Sequence, residues 1–239
     1  MAESTTELIE KGKQLRENAE KELAEAFQFF VRAADSGEPE AEFQLARMFD
    51  TGYGCTQNWK VALARYTKAM EGGHVEAAYR IGLMHYHGHF VEQSYPKAVE
   101  FFTKASEGGF AKAMYNLGVM HQNGQGCEKN SDLALQWYRK AADAGSAIAM
   151  YNIGVMYSRG EGVEKDPVQQ YQWYRRSADL GYIQAIHGVG YCFHYGIGVR
   201  QDDFEAMRWF TRSAAMGNLR SQKVVDSLRR SFNVISTIS

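Results

Sequence analysis

The densest group of metal-binding side chains is the segment HYHGHF, which places His85, His87 and His89 at alternate positions. Imidazole nitrogens are common zinc ligands, and a zinc site draws three or four ligands from His, Cys, Asp or Glu. No cysteine or pair of carboxylates completes such a set beside these histidines. A metal-linked regulatory protein that uses the His85–His89 turn is therefore one hypothesis for this chain, but no residue is assigned as a metal ligand.

Patterns that would indicate catalysis are weak in the rest of the chain. Cys192 and His194 are two positions apart, and on a helix that spacing points two side chains in different directions. Turns of the form G-x-G recur, but they follow helical patterns and lack the third glycine or the Lys-Ser/Thr pair of a phosphate-binding loop. The sequence predicts no catalytic residue, no cofactor and no enzyme activity.

The composition favours a protein of the cytoplasm. A total of 27 Lys and Arg against 28 Asp and Glu gives a formal charge of −1, so no bulk field favours nucleic acid or an anionic membrane as partner. The first twenty residues lack the apolar core of a secretory signal, and no stretch approaches the ~20 apolar residues of a membrane span. Three cysteines, an odd number, fit a reducing compartment.

The strongest pattern in the sequence is a repeat of 36 residues. One column contains only glycine: Gly37, Gly73, Gly109, Gly145, Gly181 and Gly217. A small residue follows four positions later in each row: Ala41, Ala77, Ala113, Ala149, Ala185 and Ser221. Self-similarity at a period of this length is typical of a solenoid or array.

Each row predicts a pair of helices joined by a glycine-containing turn. Helix A has the pattern AKAMYNLGVMHQ at 111–122, in which Gly118 offers a smooth surface for a close neighbour. Helix B carries large aromatic residues, which we expect to pack against alanine or glycine of the neighbouring unit. Its start is marked by a column of side chains that cap helices: Asn58, Ser94, Asn130, Asp166 and Asp202.

The row AKAMYNLGVMHQNGQGCEKNSDLALQWYRKAADAG and its near-copy AIAMYNIGVMYSRGEGVEKDPVQQYQWYRRSADLG resemble the Sel-one-like repeat (SLR), a relative of the tetratricopeptide repeat. The resemblance implies an all-α, right-handed superhelical solenoid of antiparallel helix pairs, with helix A lining a concave surface. It also implies adaptor or scaffold proteins. Bacterial members often carry a disulfide within each repeat, whereas here no repeat contains two cysteines.

A ladder of rings would then line the concave groove: Phe43, Tyr79, Tyr115, Tyr151 and His187. The next position forms a polar column: Gln44, Arg80, Asn116 and Asn152. Related proteins use asparagines in this region of helix A to hold a peptide, and an amide can both donate and accept hydrogen bonds. The predicted site is therefore a groove for a protein or peptide ligand, while packing between adjacent A helices is the alternative role of the rings.

The predicted organisation is an N-terminal helical cap at 1–37, five repeats at 38–217, and a C-terminal capping helix and tail at 218–239. Cations near the end of each helix B complement the helix dipole, which leaves a basic ridge for RNA or an acidic partner as the less favoured interpretation. Besides the binding scaffold, the pattern leaves open a self-assembling structural protein, with weak homo-oligomers formed through the solenoid ends.

His85 shares its column with Phe49, Tyr157 and Phe193, which predicts a packed ring.

Overall fold

The computed structural model describes residues 5–236, with side chains from 18 to 230, and every regular element in that range is an α-helix. The predicted all-α fold of 36-residue helix pairs is therefore confirmed. The outermost residues of the two predicted caps, 1–4 and 237–239, lie outside the described range. The chain forms two compact units, Met1–Gly108 and Gly109–Ser239.

The first unit contains one long helix followed by two helix pairs. Its helices are α1 (Thr5–Ala34), α2 (Pro39–Thr51), α3 (Trp59–Glu71), α4 (Val75–His87) and α5 (Tyr95–Glu107). α1 runs for 30 residues without a turn, whereas α2 to α5 have 13 residues each. The turn glycines Gly52 and Gly54 correspond to Arg16 and Asn18, and the cap Asn58 to Glu22. Because these stop and start signals are missing, the helix continues through the place of a turn.

The second unit contains three helix pairs and a final helix. Its helices are α6 (Ala111–Asn123), α7 (Ser131–Asp143), α8 (Ala147–Arg159), α9 (Pro167–Asp179), α10 (Ile183–Tyr195), α11 (Asp203–Ala215) and α12 (Leu219–Ser236). Helices A are α2, α4, α6, α8 and α10, and helices B are α3, α5, α7, α9 and α11. Each helix A packs against the helix B that follows it.

The predicted caps form at every helix B start. Asn130 Oδ1 accepts a hydrogen bond from the backbone N–H of Leu133 at 2.9 Å, and Asp166 Oδ1 accepts two, from Val168 and Gln169. Asn58, Ser94 and Asp202 act in the same way. At the other end of helix A, Gly124 adopts a φ of +70° and its N–H bonds the carbonyl of Met120, which ends α6.

In four of the five helix pairs, a glycine in the middle of helix A packs closely on a helix B aromatic, whereas in α2 the same column holds the buried Ala46. A Cβ at Gly118 would lie 2.6 Å from ring carbons of Tyr138, and Gly82 and Gly154 meet Phe102 and Tyr174 in the same way. These aromatic side chains meet the glycine of their own repeat, a contact that the sequence analysis did not predict, while Tyr66 and Tyr138 share core clusters with Ala77 and Ala149 of the next repeat. Tyr174 does both, because it also contacts Gly188 of the next repeat.

One turn departs from the G-x-G pattern. The second glycine has a φ between +64° and +76° at Gly54, Gly126, Gly162 and Gly198, but the equivalent residue before α5 is Phe90, with a φ of +64°. Its ring stacks on Trp59 with centroids 3.6 Å apart. The stacking therefore accompanies a backbone conformation that disfavours every residue with a Cβ.

Comparison of Phe90→Gly with Phe90→Ala isolates this backbone cost, because both substitutions remove the ring that stacks on Trp59. A left-handed alanine costs about 1–2 kcal/mol, and glycine gives back up to about 1 kcal/mol through the entropy of the unfolded chain. We expect the glycine variant to be more stable by about 0.5–1 kcal/mol in urea unfolding. Equal stability, or a more stable alanine variant, would show that this turn is unstrained.

Candidate functional site

In the first unit, the ladder rings pack against their neighbours. Phe43 is only 3% exposed, and its ring lies 4.0 Å from the His74 ring, centroid to centroid, and 5.7 Å from that of Tyr66. The ring of Tyr79 is half-buried and lies 5.6 Å from that of Phe102. Phe43 therefore offers almost no surface to a ligand, and Tyr79 offers only part of its ring.

The polar column of the first unit is bonded within its own helices. Gln44 Nε2 donates to Glu40 Oε1 at 2.6 Å, and Arg80 Nη2 lies 3.0 Å from Glu76 Oε1. Both partners lie four residues earlier on the same helix, which is the usual spacing of a helical side-chain pair. Gln44 and Arg80 therefore already have polar partners on their own helices, and only their remaining hydrogen-bonding atoms are open to a ligand.

In the second unit, each ladder ring leans on the helix B aromatic of its own repeat and stays half-buried. The centroid distances are 5.8 Å for Tyr115 and Tyr138, 5.2 Å for Tyr151 and Tyr174, and 5.2 Å for His187 and Phe210. One face of each ring thus packs against the core, while the rest of the ring is exposed to solvent. Packing and ligand contact are compatible for these side chains.

Tyr182 joins the ladder in the second unit, although the sequence analysis did not select it. Its ring centroid lies 5.4 Å from that of Tyr151, and the pKa of its phenol is raised by burial and by nearby Tyr115 and Tyr151. Tyr182 precedes α10 and contacts a ladder residue of the preceding repeat. The available signal was the column before helix A, in which His74 also has a ring and contacts the ladder ring of Phe43.

The two asparagines differ in their contacts. Asn152 hydrogen-bonds the hydroxyl of Tyr138, which also donates to Gln122 Oε1 at 2.9 Å. Asn116 is half-buried and forms no side-chain hydrogen bond with a described residue. Asn116 is therefore the ladder-side amide with donors and acceptor open to a ligand.

Three clefts of the second unit meet at His187. Their volumes are about 520, 560 and 420 Å³, and His187 lines all three. Tyr151 shares two of them with Gln184, which lies one turn before His187 on α10. Tyr191, one turn after His187, lines the clefts of about 520 and 420 Å³. The structure thus brings Tyr151 and His187 of the predicted groove together and adds Gln184 and Tyr191.

Burial lowers the pKa of His187, and the positive charge of Arg220 lowers it further. In the unfolded chain the ring titrates near its ordinary pKa of about 6.5, so below that pH the unfolded state takes up a proton that the folded state resists. The contribution of His187 to the free energy of unfolding is therefore fully present above pH ~6.5 and is lost as the pH falls towards the lowered pKa of the folded state.

We expect the unfolding free energy of the wild type to fall between pH 7.5 and 5.5, and that of His187→Gln to fall less. Urea unfolding at fixed pH values measures both. His121→Gln is the companion variant, since burial also lowers the pKa of His121. Parallel pH profiles for wild type and His187→Gln would contradict the assignment.

In the HYHGHF segment, His85 lies in a different environment from His87 and His89. The half-buried His85 ring lies parallel to the Phe101 ring at 5.6 Å, which confirms the predicted packing. His87 and His89 are exposed and stack on each other at 5.2 Å. Within the described residues, no three His, Cys, Asp or Glu side chains converge on one point.

A cysteine–histidine pair that the sequence did not suggest lies in the turn after α6. Cys127 Sγ is 3.3 Å from His121 Nδ1. Burial raises the pKa of Cys127 and lowers the pKa of His121, so both shifts favour the neutral pair. A nucleophilic cysteine needs the opposite, a thiolate beside a protonated base. Cys192 is fully buried, and burial raises its pKa to about 12.

The helix B cations cover aromatic rings one turn earlier on the same helix. In the second unit, Lys140, Arg176 and Arg212 lie over Trp137, Trp173 and Trp209 at 4.3, 4.8 and 5.4 Å. Such contacts stabilise a helix surface by roughly 0.5–1 kcal/mol each when exposed. These cations therefore have a structural role on their own helices.

Over the described range, no helix combines the length and the apolar character that crossing a bilayer requires.

Comparison with known proteins identifies the repeat. The Sel1 repeat family model matches residues 7–38, 39–74, 75–110, 111–146, 147–182 and 183–218. A Sel1 repeat protein from Oxalobacter formigenes is 30% identical, with a TM-score of 0.80 over 92% of this chain and 89% of that one. No curated protein matches the chain.

Two longer proteins share the fold. The protective antigen c5321 of uropathogenic Escherichia coli, which has an SLR fold, is 30% identical with a TM-score of 0.82 over 84% of this chain, but this chain spans only 43% of it. Yeast Tom70 is 17% identical with a TM-score of 0.56, over 90% of this chain and 44% of its own, which is a likeness of fold alone. The resemblance seen in the residues is thus confirmed: the chain belongs to the Sel1 repeat family.

Proposed function

We propose that this protein is a non-catalytic interaction scaffold that binds an extended segment of a protein partner against the ladder side chains of its A helices. The cleft system around His187 is the observation that carries the proposal. It combines half-buried rings, which supply contact area, with polar groups that fix orientation, and this is the usual composition of a binding site. In this proposal residues 38–217 carry the ladder, and 1–37 and 218–239 cap it.

The polar side chains of the second-unit ladder suit a peptide, and they differ in how many of their hydrogen-bonding atoms are open to it. Asn116 has open donors and an acceptor, whereas Asn152 is partly engaged with Tyr138. An asparagine can bond a backbone C=O and N–H at the same time, which favours an extended chain. Tyr115 and Tyr151 have little rotamer freedom to lose, since Tyr138 and Tyr174 already hold their rings.

The titratable groups of the described residues favour binding over chemistry. Burial raises the phenol pKa of Tyr138 and Tyr174 and the thiol pKa of Cys192, and lowers the imidazole pKa of His187. Each shift favours the neutral form of its group. Tyr138, Tyr174 and Cys192 are buried in the core, so His187 is the group among these four that offers a neutral, hydrogen-bonding side chain to a partner.

Site-specific photocrosslinking tests the location of the partner. In the test protein, a benzophenone amino acid replaces Gln184, which is exposed and lines two of the clefts. In the control protein it replaces Gln172, an exposed glutamine of the B helix α9. We expect a crosslink from position 184 to one continuous segment of a partner in native lysate, and none from position 172. Crosslinking from 172 alone, or equally from both positions, would place the partner elsewhere.

A further inference from the structure

The aromatic ladder ends on a cation. Lys223 of α12 occupies the position that follows His187 in the 36-residue column, and Arg220 occupies the position that follows Gln184. Both side chains are exposed and line the cleft of about 420 Å³ between α10 and α12. The ladder of the second unit therefore changes from phenol to imidazole to ammonium as it approaches the last helix.

These two cations are not neutralised within the described part of the chain. Neither Arg220 nor Lys223 forms an ion pair there, whereas Arg80 is paired with Glu76 and Arg208 with Glu205. Asp203 of α11 and Asp226 of α12 bond other side chains. Asp203 bonds His194 at 2.6 Å, and Asp226 accepts from Gln222 at 2.9 Å.

Among the residues whose side chains are described, no carboxylate lines any of the three clefts that meet at His187, although acidic residues are as numerous as basic ones in the chain. The cleft beside the cations also has apolar surface. Tyr191 and Tyr195 are 44% and 59% exposed with ring centroids 4.5 Å apart, and Phe210 and Leu228 line the same cleft.

We infer that the cleft between α10 and α12 binds an acidic side chain of the partner segment, its carboxylate on Arg220 and Lys223 and a neighbouring apolar side chain against Tyr191 and Tyr195. This inference rests on the proposed function. It defines the partner as a segment with Asp or Glu next to an aromatic or aliphatic residue. Two cations that lack counterions favour one carboxylate over the many phosphates of a nucleic acid.

Selection from random twelve-residue peptides displayed on phage tests the inference with the full chain. We expect the selected peptides to be enriched in Asp or Glu beside an apolar residue. A selected peptide should bind the Arg220→Glu/Lys223→Glu variant about ten-fold or more weakly, because charged hydrogen bonds are lost and repulsion is gained. The matched control is Lys97→Glu/Lys129→Glu, which makes the same charge change at exposed positions and should bind as the wild type does.

The other outcomes separate the two proposals. Peptides that bind at the ladder without an acidic preference, and equally well to the Arg220→Glu/Lys223→Glu variant, would overturn the inference and leave the scaffold function standing. Failure to select any peptide would overturn both. A fluorescent twelve-nucleotide oligouridylate that displaces the peptides, and that the charge reversal weakens, would identify nucleic acid as the ligand and overturn the inference.

Discussion

Replacement of Gly118 by alanine is expected to destabilise the protein by about 1–3 kcal/mol, the usual cost of overpacking a core. A Cβ at this position would lie 2.6 Å from two ring carbons of Tyr138, which is itself fully buried. Helix propensity alone predicts the opposite sign, since alanine in a helix interior is favoured over glycine by up to about 1 kcal/mol. The sign of the effect therefore distinguishes close helix packing from local preference.

The same substitution in a Tyr138→Leu background provides the control. Leucine lacks the Cε1 atom of the ring, and its flexible methyl groups can turn away from Gly118, so we expect Gly118→Ala to cost much less there, or to stabilise the helix. Urea unfolding of the four proteins gives the coupling energy between the two positions. An equal cost of Gly118→Ala in both backgrounds would mean that the Tyr138 ring is not what excludes a side chain at this glycine.

Much of the fold could be predicted because the period repeats each local signal. The cap column and the turn glycines carry their own physical reasons, and both appear in the structure at the expected residues. Phe90 escaped prediction because the residue that replaces a glycine stacks on Trp59, an aromatic from the preceding repeat. α1 departs for the opposite reason, since its sequence lacks the signals that would divide it.

The candidate site was less predictable, because exposure depends on contacts between repeats. Phe43 shares its column with Tyr151, yet Phe43 is buried against His74 while Tyr151 lines two clefts. Tyr182 was missed because it reaches a ring 31 positions earlier in the chain. Column identity therefore predicted the direction of a side chain along helix A, and the neighbouring repeat decided how much of it meets solvent.

Simultaneous replacement of Tyr115, Asn116 and Asn152 by alanine is expected to weaken partner binding by about 100-fold. Most interface residues contribute about 1 kcal/mol or less when truncated and a few contribute about 2 kcal/mol or more, so we expect about 2.8 kcal/mol from the three positions together, and every 1.4 kcal/mol corresponds to about ten-fold in affinity. Some loss of stability will accompany the change, because Tyr115 packs on Tyr138 and Asn152 bonds its hydroxyl. Circular dichroism at the assay temperature must therefore show that the variant is folded.

The most direct test measures the affinity of the crosslinked partner segment for three proteins by isothermal titration calorimetry. They are the wild type, the ladder triple variant, and a matched triple variant with alanine at Gln136, Gln172 and Thr211, which are exposed positions of α7, α9 and α11. The predicted result is an affinity about 100-fold lower for the ladder variant and unchanged for the helix B variant. A folded ladder variant that binds as tightly as the wild type would contradict the binding site assigned to the A helices.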